Sequence, residues 1–124
     1  PPMLLIDRVV SWGPDRIVAE HVVRADGMFF QPGRGLPAYV ALEILAQTVS
    51  AFDGLQRRAL GQPPQLGFLL GTRRFETSRE WFAEGERLRA HARALIEEGE
   101  LRSFECRLVD GAENVLASAV LSVY

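Results

Sequence analysis

An α+β fold, one long helix enclosed by antiparallel strands, is what this 124-residue sequence predicts. Three observations predict it. Residues 38–59 run without proline and with apolar residues at helical spacing. The second half of the chain reads as alternating strands joined by short turns. The composition, 48% apolar and 24% charged, is that of a chain with a packed core, which excludes a disordered one. The length suits a single domain over residues 1–124.

The elements follow in chain order. RIVAEHVVR, residues 16–24, is rich in β-branched residues and predicts a strand. Pro37 precedes the helical window and suits a helix start. Within the window Tyr39, Leu42, Ile44, Leu45, Ala46, Val49, Phe52 and Leu55 leave only a thin polar stripe of Glu43, Gln47 and Ser50. A helix so apolar must be wrapped by other structure. Arg57, Arg58, Gly61, Pro63 and Pro64 mark a polar exit loop. Residues 67–76 predict a second strand, with Gly71 as its bulge or point of close approach. In residues 87–96, Arg87, Arg89, His91 and Arg93 alternate with Leu88, Ala90, Ala92 and Ala94. Strands over 101–109 and 114–124 complete a meander, with turns at Glu98-Gly99-Glu100 and Asp110-Gly111. The economical packing is a curved antiparallel sheet around the central helix, its edges paired between two subunits.

Charge and composition narrow the function. Fourteen basic residues, all Arg, face sixteen acidic ones, a balance that argues against a nucleic-acid partner. Without Lys there is no Schiff-base chemistry. One Cys and two His, with no HExxH or CxxC spacing, predict no metal and no cofactor. A P-loop ending and a GxSxG nucleophile signature are both missing from the sequence. No apolar run approaches the roughly 20 residues of a membrane span, so no membrane partner is expected. The lone cysteine and the lack of a secretory pattern at the start predict a cytoplasmic protein.

Glu43 is the leading catalytic candidate. A partly desolvated carboxylate on the polar stripe of an apolar helix can exchange protons with a substrate. The plainer alternative makes it the polar edge of the helix, hydrogen-bonded to Gln47 or favoured by the helix dipole. The N–H groups of Ala38, Tyr39 and Val40, at the expected helix start, can polarise a carbonyl oxygen. His21 lies inside a strand pattern, and His91 shares a strand face with arginines that predicts solvent exposure. Cys106 alternates with apolar neighbours and reads as an inert core thiol. Arg34, Arg57, Arg58, Arg73 and Arg74 suit a basic patch for an acidic carrier or a phosphate, or else an ordinary solvated surface.

With these residues in view, the sequence resembles the hot-dog fold 3-hydroxyacyl–acyl carrier protein dehydratases over nearly its whole length. MLLIDRV (residues 3–9), Phe29-Phe30-Gln31, Leu36-Pro37-Ala38, Leu42 to Gln47 (LEILAQ), Phe68-Leu69-Leu70-Gly71 with Phe75, and Glu84 to Leu88 (EGERL) match that family in order and spacing. The stretch PMLLIDR and the pattern of Leu36-Pro37, Glu43 and Ala46-Gln47 are similar to a divergent branch that includes predicted aryl-polyene dehydratases. The resemblance implies a hot-dog fold and a dimer with a shared sheet. It implies acyl thioesters on acyl carrier protein as substrates, and a site at the dimer interface, in fatty-acid or polyene biosynthesis. There a His acts as base, a helix carboxylate handles the departing hydroxyl, and a backbone N–H binds the thioester carbonyl. Carried over, Glu43 is the acid/base, the N–H of Ala38 the oxyanion donor and Gln47 a support. Phe30, Pro37, Phe68, Leu70, Gly71 and Phe75 would contact the acyl chain.

The sequence departs from the family at one place. Family members carry a His in the loop before the helix, whereas here FFQPGRGLP, residues 29–37, is shorter and holds none. A homodimer would offer Glu43 without its usual base, so a heterodimer with a His-bearing hot-dog partner is the expected way to complete a site. A non-catalytic acyl-thioester-binding subunit, or a hot-dog thioesterase in which Glu43 activates water, are the alternatives.

Overall fold

The computed structural model describes residues 4–63, 70–95 and 101–123. Among the described residues, eight strands and one helix follow the order β1 (Arg8–Trp12), β2 (Arg16–Val22), β3 (Leu36–Pro37), α1 (Val40–Ala59), β4 (Leu70–Thr77), β5 (Trp81–Phe82), β6 (Arg87–Ala94), β7 (Arg102–Val109) and β8 (Val115–Val123). Six strands form one sheet in the order β1-β2-β6-β7-β8-β4, and every neighbouring pair is antiparallel. The helix lies across one face of this sheet, packed on β2, β6, β7 and β8.

Side-chain alternation explains the layering. Leu88, Ala90 and Ala92 of β6, Phe104, Cys106 and Leu108 of β7, and Ala117, Ala119 and Leu121 of β8 are buried. Ile44, Leu45, Val49 and Phe52 of α1 join the same core. Phe52 meets Phe104 edge-on, with ring centroids 5.6 Å apart. Small residues on β6 and β8 let the 20-residue helix sit close to the sheet.

Buried charges here are held by partners. Asp53 on α1 is ion-paired with Arg57 at 3.0 Å and Arg102 at 2.5 Å. Glu20, on the outer face of β2, is met by Arg8, Arg87 and Arg89 at 3.3, 3.2 and 3.7 Å.

Three expectations are corrected. The helix begins at Val40, because Pro37 is taken into β3, where it pairs with Trp81. Gly71 pairs regularly with Ser122; the irregularity of β4 lies between Arg73 and Glu76, where Arg74 takes a φ of 56°. His91 is half-buried, its Nε2 without a hydrogen-bond partner among the described residues, near Arg16, Arg89 and Arg107 of its own and the flanking strands. Burial, then the arginine charges, pushes its pKa below the usual histidine value. The expected turn at Glu98-Gly99-Glu100 lies outside the described residues.

The short β3–β5 pair fixes the approach to α1. Gln31 and Gly35 form a bridge just before it. Gly35 has a φ of +116°, and a Cβ there would collide with the backbone carbonyl of Phe82. Gly33, at φ +82°, faces open space. Gly33→Ala is therefore expected to cost only left-handed strain, about 1–2 kcal/mol. Gly35→Ala should cost more, since β3 must also move off β5. Urea melts of the two variants check the order.

Candidate functional site

The polar stripe of α1 faces away from the core. Glu43 and Ser50 are exposed and Gln47 is half-buried. Gln47 holds the stripe together: its Nε2 donates to Glu43 Oε1 at 3.4 Å, and its Oε1 accepts the N–H of Leu5 at 2.7 Å. The hydrogen bond of the plainer alternative for Glu43 is thus present, and it orients the carboxylate. The expectation of a partly desolvated Glu43 is not met in the single chain, where its side chain is exposed.

Beside this stripe runs an apolar groove of about 510 Å³, lined by Leu4, Ile6, Arg8, Val9, Gln47, Ser50 and Ala51. A second, more enclosed cavity of about 130 Å³ lies under the N-terminal segment, lined among others by Leu5, His21, Met28, Phe29 and Leu36. Large apolar side chains of their walls stand in water: Leu4, shared by both, is 60% exposed, and Met28 of the second is 58% exposed. Exposed apolar area rimming concave surface marks a binding face.

The helix start differs from expectation in one donor. The N–H of Ala38 is not free: it donates to the carbonyl of Glu80 at 2.9 Å. The turn around Ala38 brings the chain against the segment before β5, and the β3–β5 pairing consumes this group. Among the described residues no backbone acceptor meets the N–H of Tyr39 or Val40, the next two donors at this helix end. The loop before β6 is braced by Arg79 and Glu86, bonded twice at 2.9 and 2.8 Å. That bond to Arg79 holds the Glu86 carboxyl below its ordinary pKa.

The acyl-chain candidates scatter within one chain. Phe30 is half-buried and packed on the core, and Pro37 is buried in β3. Phe75 packs half-buried from β4, which with Gly71 and the backbone of Leu70 lies at the sheet edge opposite β1. Phe68 lies outside the described residues. The groove lined by Gln47 and Ser50 adjoins the β1 edge, opposite the β4 edge that holds Phe75 and Gly71. The basic patch is also not a cluster of five free cations: Arg57 is bound to Asp53, and Arg34 lies over Trp81 at 5.7 Å.

The family model described as ApeP dehydratase matches residues 1–124. The chain belongs to the ApeP-like dehydratase family. It is similar in structure to the dehydratase heterocomplex ApeI:P from Xenorhabdus doucetiae, at 24% identity and a TM-score of 0.90, covering 99% of this chain and 83% of that one. The E. coli PaaI protein from the phenylacetic acid degradation operon is 13% identical, with a TM-score of 0.69 and coverage of 94% and 81%. AziG of S. sahachiroi is 22% identical, with a TM-score of 0.62 and coverage of 94% and 87%. These likenesses show the hot-dog fold. No curated protein sequence matches.

The remaining nucleophile of this ApeP-like chain is Cys106. Its thiol is buried, and burial pushes its pKa up to about 12. The thiolate is the reactive form, so at neutral pH almost none is present. Maleimide is expected to leave the folded protein unlabelled at pH 7 and to label it fully in denaturant, as mass spectrometry would show. His21, given little weight from the sequence, lies in the wall of the enclosed cavity, with Nδ1 2.5 Å from the carbonyl oxygen of Leu5. Its signal in the sequence is period-two alternation with Ile17, Ala19 and Val23, all buried.

Proposed function

We propose that this ApeP-like chain is the carboxylate-bearing subunit of a two-chain hot-dog dehydratase that acts on 3-hydroxyacyl thioesters carried by acyl carrier protein. One observation carries the reading: Glu43 is exposed and hydrogen-bonded to Gln47, which itself lines an apolar groove, in a chain whose loop before the helix has no histidine. A second hot-dog subunit laid over the stripe and the groove would desolvate Glu43, cover Leu4 and Tyr39, and bring its own loop histidine. The ApeI:P assembly, a dehydratase heterocomplex by its own description, supports such an arrangement.

In this mechanism the partner's histidine takes the α-proton. The electron pair forms the Cα=Cβ bond as the Cβ–O bond breaks. Glu43, protonated, gives its proton to the departing hydroxyl, which leaves as water. The thioester carbonyl is polarised by the N–H groups of Tyr39 and Val40, in place of Ala38, whose N–H is already engaged. Gln47 keeps the carboxylate in place. Phe30 and Pro37 line the approach from this chain. Phe75, Gly71 and Leu70, on the edge strand β4, would contact the acyl chain only in a pair of subunits that meet along that edge.

The engaged Ala38 N–H favours a second reading, a thioester-binding subunit without chemistry of its own. Incubation of the two-chain complex with a 3-hydroxyacyl–carrier protein separates the readings. Enoyl product that depends on Glu43 supports the first, and product that ignores Glu43 the second. Free 3-hydroxy acid would instead support a thioesterase.

A further inference from the structure

The helix covers one face of the sheet, and the opposite face carries an excess of arginine. Glu20 on that outer face is met by Arg8, Arg87 and Arg89, and Glu105 by Arg93 at 3.1 Å. Both glutamates are thus already neutralised. Arg16 of β2 and Arg107 of β7 have no carboxylate at ion-pair distance among the described residues. Arg16 donates to Ser11 Oγ at 3.2 Å, and Arg107 donates to His91 Nδ1 at 3.5 Å. His91, on β6, stands between them. It pairs in register with Arg107 on one side and with Val18, two residues from Arg16, on the other.

This spot is rich in donors and poor in acceptors. A guanidinium only donates, so His91 Nδ1 accepts and the imidazole proton sits on Nε2. That Nε2 is buried and meets no acceptor among the described residues. Glu113, in the turn between β7 and β8, favours the charged ring, but burial and the charges of Arg107, Arg89 and Arg16 outweigh it.

We propose that Arg16, His91 and Arg107 form a binding site for a doubly charged phosphate group on the outer face of the sheet. The site lies across the sheet from α1, so it does not rest on the role of Glu43. Neighbouring strands lie about 4.8 Å apart. Arg16 and Arg107, on the strands either side of β6, can therefore converge over His91. Each guanidinium presents a fork of N–H donors that suits two oxygens at once. Two forks ask for more than the two oxygens of a carboxylate, and the three terminal oxygens of a phosphate monoester meet them. When Arg107 turns from Nδ1 to the anion, that nitrogen is free to take a proton, and the imidazolium adds a third donor. Arg16, Arg89 and Arg107 are exposed, so the anion enters by side-chain movement alone.

The test titrates the full chain at neutral pH with inorganic phosphate, and separately with phenyl phosphate, at an ionic strength held constant with sodium chloride. The imidazole signals of His91 are followed by nuclear magnetic resonance. They should move saturably. Bound phosphate should also raise the pKa of His91, because an anion beside the ring favours its charged form. Arg16→Gln and Arg107→Gln should each weaken binding about ten- to a hundredfold, the range for losing a hydrogen bond to a charged group. Arg58→Gln, at the exposed end of α1, should leave binding unchanged. Tighter binding of phenyl phosphate would assign the site to the end group of an ester, and tighter binding of inorganic phosphate to the free ion; either result supports the proposal. Shifts that chloride alone reproduces, or an equal loss in Arg58→Gln, would show a general charge effect and overturn it. A His91 pKa that saturating phosphate leaves unmoved would overturn it as well.

Discussion

Glu43→Gln is expected to lower dehydration by the two-chain complex about 10²- to 10⁴-fold in kcat, the range for losing a positioned acid. The substitution is nearly isosteric and removes only the exchangeable proton. Glu43 is exposed in the single chain, and its recorded hydrogen bond comes from Gln47. The variant should therefore melt with the wild type and bind the partner as tightly. The loss should fall on kcat and leave KM within a few-fold, because the proton is needed only as the hydroxyl departs. A Glu43→Gln complex with wild-type kcat would remove Glu43 from the chemistry.

Phe52→Ala is expected to have the largest effect on stability. Phe52 is 2% exposed, sits in the middle of α1, and meets Phe104 edge-on across the helix–sheet boundary. Truncation leaves a cavity where α1 crosses β7, and such changes cost about 3–5 kcal/mol. Tyr39→Ala gives the contrast. At 65% exposure it should change the stability of the isolated chain by less than about 0.5 kcal/mol. The same change should weaken association with a hot-dog partner, as titration calorimetry would measure. Equal melting shifts for the two variants would contradict the contrast between the buried Phe52 of α1 and the exposed Tyr39 at its N-terminal end.

How much of this was legible beforehand depended on the range of each signal. The alternation of Leu88, Ala90 and Ala92 with Arg87, Arg89 and His91 is local, and β6 follows it closely. The stripe of Glu43, Gln47 and Ser50 is likewise local, and it faces away from the core. The pair β3–β5 has two residues per strand, too few to show a period, and a proline stands in one of them. That hidden pairing shifts the helix start to Val40 and consumes the Ala38 N–H. The irregularity at Arg74 carries no sequence mark, whereas Gly71 invited one and pairs normally. The bond from Leu5 to Gln47 spans 42 residues, and no spacing rule reaches that far. His21 was readable as a strand residue, but its contact with the Leu5 carbonyl, 16 residues away, was not. The hot-dog family was legible because its motifs fall in register along the chain, even though the loop histidine is gone.

The most direct measurement is the rate of enoyl-thioester formation from a 3-hydroxyacyl–carrier protein by this chain alone, by a hot-dog dehydratase partner that retains a loop histidine, and by the two together. Product should form at speed only in the mixture, in proportion to the amount of complex. Equal turnover by this chain alone, or a mixture no faster than the partner by itself, would contradict the account.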